Sequence, residues 1–219
     1  EGSAQLNNLY LNHSYIGIRI DGGTVSATSI DIESMDFDGV RLESSGMLSL
    51  DQGSFSNVSI GIQSEGFADV SNLAIHRAGI GFKGVSGQLL IDQSGVYNST
   101  IGYVGQQGVQ MRVNNSLSFD TILSLDAGDA DDFETHHGAF EGDRFLFSSG
   151  SQSLVLDDVT FSGAGDEQRY AVDVKCSLTC SFNDVTITNA SKAIQLTGAG
   201  PFDFERLEIT NSGRGIDVV

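Results

Sequence analysis

A stretch of about 22 residues repeats along this chain, and this period restricts the possible fold more than any other feature. Residues 13–23 read HSYIGIRIDGG, and the same pattern returns at 36–46 as DFDGVRLESSG. Apolar pairs recur at intervals of 22, 20, 20, 21, 22, 22, 27, 22 and 22 residues. The pairs are Ile18/Ile20, Val40/Leu42, Ile60/Ile62, Ile80/Phe82, Ile101/Tyr103, Leu123/Leu125, Phe145/Phe147, Val172/Val174, Ile194/Leu196 and Ile216/Val218. Such a period is typical of a solenoid, in which each repeat buries its apolar face against its neighbours.

Within each repeat, apolar and polar residues alternate, which is the period of a β-strand rather than of a helix. The last two copies, FNDVTITNASKAIQLTG at 182–198 and FDFERLEITNSGRGIDV at 202–218, show this best. Each contains an alternating strand, a turn at Asn189 or Asn211, and a second strand. Two or three short strands per repeat predict an all-β coil. About ten coils stacked at the strand spacing of about 4.8 Å would form a rod of roughly 45–50 Å.

The pattern that these copies share, F-x-x-[VL]-x-I-x-N followed by an apolar pair, resembles that of the right-handed parallel β-helix superfamily. Pectate lyases, polygalacturonases, viral tailspikes and many surface proteins belong to it. The resemblance covers essentially the whole chain. It implies a single domain, residues 1–219, built as a right-handed parallel β-helix solenoid of about ten coils with 20–22 residues per coil. A leucine-rich repeat has a similar period and stays open as an alternative.

The charge balance restricts the partners. The chain has 29 acidic and 11 basic residues, and only three of the basic residues are lysines. Because nucleic-acid binding requires a basic surface, we expect no nucleic-acid partner. The sequence also lacks an apolar run of 18 residues, so we expect no membrane-spanning segment. An acidic protein of this kind is typical of a salty or divalent-cation-rich exterior.

A column of Asn and Asp residues at the predicted turns allows two interpretations. Its members are Asn12, Asp38, Asn57, Asn98, Asp120, Asn189 and Asn211. Asn and Asp tolerate the left-handed backbone region, so the column can be a turn ladder. However, the acceptor sequence for N-glycosylation begins at five positions, Asn12, Asn57, Asn98, Asn114 and Asn189. Sugars at these positions would make the protein an extracellular glycoprotein.

Two segments break the repeat, and we expect irregular loops at 126–144 and 162–170. The first loop is rich in acids. Carboxylates one and two residues apart can present oxygens to Ca²⁺, and a histidine can join a transition-metal site. We expect cation ligands, Ca²⁺ first, among Asp126, Asp129, Asp131, Asp132, Glu134 and His136. A solvated acidic loop and a set of catalytic carboxylates are the alternative interpretations.

Two smaller features bear on structure and partners. A turn between Cys176 and Cys180 would allow a disulfide, the alternative being two buried thiols. The residue inside each apolar pair is expected to face outward, so Gly61, Gly81 and Gly102 would stack on an exposed strip of sheet. A partner chain, another subunit or a glycan could lie close to such a strip, unless glycine is merely tolerated there.

These features together predict a rigid extracellular or cell-surface module that is not an enzyme, such as a stalk, an adhesin or a filament subunit. The expected partners are other copies of the protein, further segments of a longer chain, and glycans. The β-helix resemblance also implies an alternative, a polysaccharide lyase, hydrolase or tailspike-like depolymerase. The outward column inside the apolar pairs contains no acidic cluster of the kind that the lyases use.

Overall fold

The computed structural model describes residues 2–163, 169–198 and 200–219. This part of the chain forms fourteen β-strands and no helix. The strands are β1 (Ser3–Ser14), β2 (Ile18–Ile20), β3 (Gly23–Leu42), β4 (Gly46–Ser64), β5 (Phe67–Gly84), β6 (Gly87–Asp92), β7 (Gly95–Gly105), β8 (Val109–Asn114), β9 (Leu117–Gly128), β10 (Asp132–Ser162), β11 (Val172–Thr188), β12 (Lys192–Thr197), β13 (Phe202–Thr210) and β14 (Arg214–Val218). They pair in parallel within one sheet, which winds into a β-solenoid of about ten turns, as the repeat predicts. Among the described residues, no helix is long and apolar enough to cross a membrane.

Each coil contains three strand segments, separated by corners. In β4 the first segment buries Leu50, the second buries Phe55 and the third buries Ile62, at 2%, 0% and 0% exposure. The first two corners lie at Gln52 and Asn57, where the backbone dihedral φ is +66° and +54°. One left-handed residue is enough to turn the chain there without breaking the ladder of hydrogen bonds to the next coil.

Both corners recur along the solenoid. The first corner comprises Asn8, Ser29, Gln52, Asn72, Gln93, Asn115, His137, Asp158, Asp184 and Arg206, all with positive φ. The second comprises His13, Ser34, Asn57, Arg77, Asn98, Asp120, Asn189 and Asn211. Five of the predicted turn residues therefore occupy the second corner. Asn12 and Asp38 do not, because in their coils the left-handed residues are His13 and Ser34.

One continuous core fills the inside of the coils, from the first turns to the last. Aromatic rings contact one another through its middle. Phe82 and Tyr103 stack with centroids 5.3 Å apart, and Tyr103 meets Phe140 edge to face at 6.1 Å. Each fully buried ring or branched side chain contributes about 1.5–3 kcal/mol. Since every coil packs on the next, this stabilisation depends on the stack as a whole.

The register of the third segment differs from the predicted one by two residues in the middle coils. Val40 pairs with Ile62, whereas the sequence pattern aligned it with Ile60. The inward position that follows is filled by Ser64 and, one coil further, by Gly84. Small residues occupy the inward position where the sequence pattern requires an apolar residue. The pattern therefore identified an apolar pair that begins two residues before the residue in register with Val40.

Gly61, Gly81 and Gly102 consequently face inward, and they do not form the exposed strip predicted from the sequence. A Cβ atom at Gly61 would lie 2.5 Å from Ile75 Cδ1, and one at Gly81 would lie 2.5 Å from Val96 Cγ2. The backbone of the neighbouring coil is equally close. Glycine at these positions makes room for core side chains.

The segment 126–144, expected to be an irregular loop, is mostly strand. β9 extends to Gly128 and β10 begins at Asp132, so the break is confined to a short turn. The inward positions of β10 keep the alternation, with Phe133 and Thr135 at 0% exposure. The acidic residues occupy the outward positions between them. Of the second expected loop, 162–170, residues 164–168 lie outside the described part of the chain.

Candidate functional site

The six predicted cation ligands lie on different parts of the coil. Asp126 is in the third segment and accepts a hydrogen bond from the Gly128 backbone N–H at 3.0 Å. Asp131, in the turn, accepts hydrogen bonds from the Gly108 N–H and from Gln152 Nε2, at 3.3 and 3.0 Å. Asp129 lies in the same turn and is exposed. These three residues precede the strand β10, which carries the other three predicted ligands.

Asp132, Glu134 and His136 share the outer face of β10, where ion pairs link Glu134 and His136 to neighbouring coils. Arg112 lies 2.5 Å from Glu134 Oε2, and His136 lies 3.3 Å from Asp157 Oδ2. His136 is also 3.5 Å from Glu134. Glu134 and His136 thus each have a partner of opposite charge one coil away.

These contacts do not bring the acidic side chains together around one point. Within residues 2–163, 169–198 and 200–219, no group of three or more His, Cys, Asp or Glu residues is arranged to hold a metal ion. Burial raises the pKa of Asp132, whose Oδ1 atom has no hydrogen-bond partner in the described structure. Ca²⁺ binding at this segment stays a prediction from the sequence.

A second set of charges surrounds Arg144 in the third segment. Its Nη2 donates to Asp173 Oδ2 at 2.7 Å, and its guanidinium lies 4.5 Å from the centroid of Phe147. Burial lowers the pKa of Arg144, although Asp173 and Asp126 oppose that shift. Asp126 lies on the adjacent coil, where it pairs in register with Phe147. Burial raises the pKa of Asp126. An ion pair with Asp173 and a cation–π contact with Phe147 hold the guanidinium. Because Arg144 is partly buried, these contacts are stronger than they would be at an exposed site.

An open cleft of about 510 Å³ adjoins Arg144, and we call it the Arg144 cleft. It is lined by Thr100, Ile101, Ile122, Leu123, Asp143, Arg144 and Arg169. Ile122 is 58% exposed and adds apolar surface to the cleft. The cleft therefore combines an apolar floor with two arginines in a strongly acidic protein.

The sequence analysis missed this cleft. Arg144 and Asp173 are 29 positions apart, and they meet because β10 pairs with β11 across the longest interval of the repeat. One signal was present in the sequence. The run Ile122–Leu123 puts two apolar residues side by side, and in an alternating strand one of them must face outward.

The predicted glycosylation sites differ in accessibility. Asn12, Asn57, Asn98 and Asn189 are exposed and lie at or beside the second corner. Asn114 is half-buried at the end of β8, and its carbonyl accepts a hydrogen bond from Ser116 at 2.6 Å. The four corner residues are therefore better placed than Asn114 to accept a sugar.

Cys176 and Cys180 lie together within β11. Their sulfur atoms are within bonding distance, and their Cα atoms are 6.1 Å apart. This Cα separation is ordinary for a disulfide. The bridge closes a short bend that carries Leu178, which is 60% exposed.

No protein-family model matches the chain, and comparisons with curated proteins and with solved structures give no match. The class of the protein is therefore defined by its fold, a parallel β-solenoid of about ten turns.

Proposed function

We propose that this protein is a rigid, non-catalytic, extracellular β-helix module that acts as a stalk, an adhesin or a filament subunit and presents binding surfaces along its sides. The observation that carries this proposal is the unbroken parallel pairing from β1 to β14 around one core. A continuous stack cannot bend easily, because bending would separate paired strands over many coils. Rigidity of this kind suits a spacer or a display scaffold.

The finer structural class belongs to the same proposal. Crossover connections between parallel strands are right-handed in about 98% of cases. Together with the resemblance of the repeat to the pectate-lyase-like superfamily, this supports a right-handed coil.

Two features support an extracellular location and surface partners. Four acceptor asparagines are exposed, and the two cysteines are placed to form a disulfide, a bond that persists in oxidising compartments. The partners proposed are other copies of the protein, further segments of a longer chain, and glycans. Since the acids of β10 pair with Arg112 and His136, a cation would have to compete with these contacts.

The proposal is tested on protein purified from its native source, by non-reducing peptide mapping and by a cleavage assay. We expect hexose-containing additions on exposed acceptor asparagines and a peptide linking Cys176 to Cys180. We also expect no release of reducing ends from neutral or acidic polysaccharides. Unmodified asparagines with free thiols would contradict the extracellular assignment, and steady release of reducing ends would contradict the non-catalytic one.

A specific observation favours a second candidate, a carbohydrate-active enzyme. Asp126, Phe147 and Asp173 occupy successive coils at one register position, with Arg144 between the two carboxylates. Two coil spacings of about 4.8 Å separate their backbones by roughly 10 Å, close to the carboxylate separation used by inverting glycosidases. Under this candidate, Asp126, whose pKa is raised by burial, would be the general acid. Asp126→Asn would then abolish reducing-end release, while Asp129→Asn, in the exposed turn, would retain it.

A further inference from the structure

A row of ring side chains runs along the outer face of the second segment, separate from the Arg144 cleft. His76 pairs in register with Tyr97, and Tyr97 with Phe119. The rings of His76 and Tyr97 are stacked, with centroids 4.7 Å apart and planes inclined by 12°. Phe119 is 49% exposed. The core already fills the inside of these coils, so this row lies outside the core, with His76 and Tyr97 half-buried.

A shallow trough lies beside this row. Ala74 and Gly95 occupy adjacent coils at one outward position, and Leu117 follows on the next coil. The Tyr97 ring leans over Gly95, so that a Cβ atom there would lie 2.6 Å from the Tyr97 hydroxyl. Glycine is therefore required for the tyrosine to lie in this position. The result is an open cleft of about 320 Å³, which we call the Tyr97 cleft.

Amide side chains form the opposite wall of the Tyr97 cleft. Asn72, Gln93 and Asn115 stand at the first corner on three successive coils. The Nδ2 atoms of Asn72 and Asn115 donate to carboxylates, Asp51 and Asp92, each at 2.8 Å. Since the NH₂ groups are held in this way, the amide carbonyl oxygens remain as acceptors. The wall thus repeats one polar group about every 4.8 Å along the rod.

We propose that the Tyr97 cleft binds a neutral oligosaccharide, with a sugar ring packed against Tyr97 and Leu117 and its hydroxyls donating to the amides of Asn72, Gln93 and Asn115. The inference rests on the proposed role as a binding module and names a ligand class and a site for it. An apolar or aromatic surface with a few fixed polar groups is the usual composition of a small-ligand site. A sugar ring has the matching chemistry, an apolar C–H face and a hydroxyl-bearing edge.

The charges around the Tyr97 cleft favour a neutral ligand over an anionic one. The residues that line it are amides, a serine, a tyrosine and small or apolar residues, and none of them is charged. Two carboxylates, Asp51 and Asp92, stand behind the amide wall. The chain carries a formal net charge of −18. A uronate or sulfated glycan would approach this face against like charge.

Binding is tested by isothermal titration calorimetry of the full chain with maltohexaose, cellohexaose, mannohexaose and xylohexaose, and with tetragalacturonate as the anionic comparator. We expect at least one neutral hexaose to bind with a Kd in the millimolar range or tighter, and more tightly than tetragalacturonate. Tyr97→Ala should weaken that binding at least tenfold. Tyr15→Ala is the control, because Tyr15 is a surface tyrosine, 58% exposed, that contacts the ring of Phe37 outside the cleft.

A second variant guards against a folding defect. Ala74→Gln extends a side chain into the cleft from an outward position and leaves Tyr97 intact, and it should also weaken binding at least tenfold. The inference is overturned if none of the neutral hexaoses binds at 10 mM, if tetragalacturonate is preferred, or if both variants bind like the parent. A failure of this inference is distinguishable from a failure of the proposed function. Absence of oligosaccharide binding leaves the non-catalytic role intact, whereas release of reducing ends would contradict that role.

Discussion

Replacing Gly81 by alanine tests the inward orientation of the glycine column. A Cβ atom there would lie 2.5 and 2.8 Å from the two methyl groups of Val96 and 2.6 Å from the Gly102 carbonyl oxygen. Contacts this short force the neighbouring coil to move. Overpacking of a filled core typically costs about 1–3 kcal/mol, and the backbone contact places this site in the upper part of that range.

The outward orientation expected from the sequence predicts the opposite sign. Alanine at an exposed strand position with ordinary φ would restrict the unfolded chain and stabilise the protein by about 0.4–1 kcal/mol. The assay is urea unfolding followed by far-UV circular dichroism at pH 7. Gly215→Ala is the matched control, because a Cβ atom at Gly215 would have no neighbour within 4 Å.

A double variant divides the effect between its two causes. Val96→Ala removes the methyl contacts, so Gly81→Ala should be less harmful in that background, with a coupling free energy of about 0.5–3 kcal/mol. The contact with the Gly102 carbonyl remains. The free energy of unfolding of the double variant should therefore stay below that of Val96→Ala alone. A neutral or stabilising Gly81→Ala would refute the inward orientation.

Three further perturbations follow from the contacts described. Replacing Cys176 and Cys180 by serine opens a five-residue loop and should lower the free energy of unfolding by about 2 kcal/mol, seen as a difference in urea midpoint that dithiothreitol abolishes. The hydrogen bond to Asp158 raises the pKa of His137, so its stabilising effect is complete below the unfolded pKa and is lost as pH rises through the folded pKa. His137→Gln should flatten that part of the stability profile. Burial raises the pKa of Asp38, so Asp38→Asn should raise the urea midpoint at pH 7. This gain should begin to shrink as pH falls to the folded pKa and vanish below the unfolded pKa; an unchanged midpoint at pH 7 would contradict this.

The strand period and the stacking could be predicted because the inward residues of the first two segments are large and apolar in nearly every coil. Leu48, Leu50 and Phe55 are examples. The third segment could not be placed in the same way. Its outward position at the bend carries apolar residues, Ile60 and Ile80, while an inward position holds small residues. Where outward residues are apolar and inward residues are small, hydrophobic alternation selects the wrong face.

The candidate sites were less predictable, because they depend on which residues of different coils come into register. The acids and His136 at 126–144 were recognised by composition, yet the partners of Glu134 and His136 come from the coils on either side. These partners are Arg112 and Asp157. The 27-residue interval shifts the later coils relative to a fixed period, so the sequence alone does not place Arg144 beside Asp173. The Tyr97 cleft depends on a single glycine, Gly95, whose role becomes evident only when the ring is placed above it.

The two clefts occupy neighbouring coils on either side of the second corner, and an acceptor asparagine stands between them. Asn98 is exposed, follows Tyr97 directly, and precedes Thr100 of the Arg144 cleft by two residues. A glycan on Asn98 would therefore reach both clefts and compete with any oligosaccharide bound beside Tyr97. We expect protein made in a eukaryotic secretory pathway to bind the neutral hexaose more weakly than unglycosylated protein from bacteria, and Asn98→Gln to remove that difference. Asn189→Gln, which removes a distant acceptor, should leave the difference unchanged. Equal binding by the two preparations, with Asn98 shown to be glycosylated, would refute competition between this glycan and the oligosaccharide.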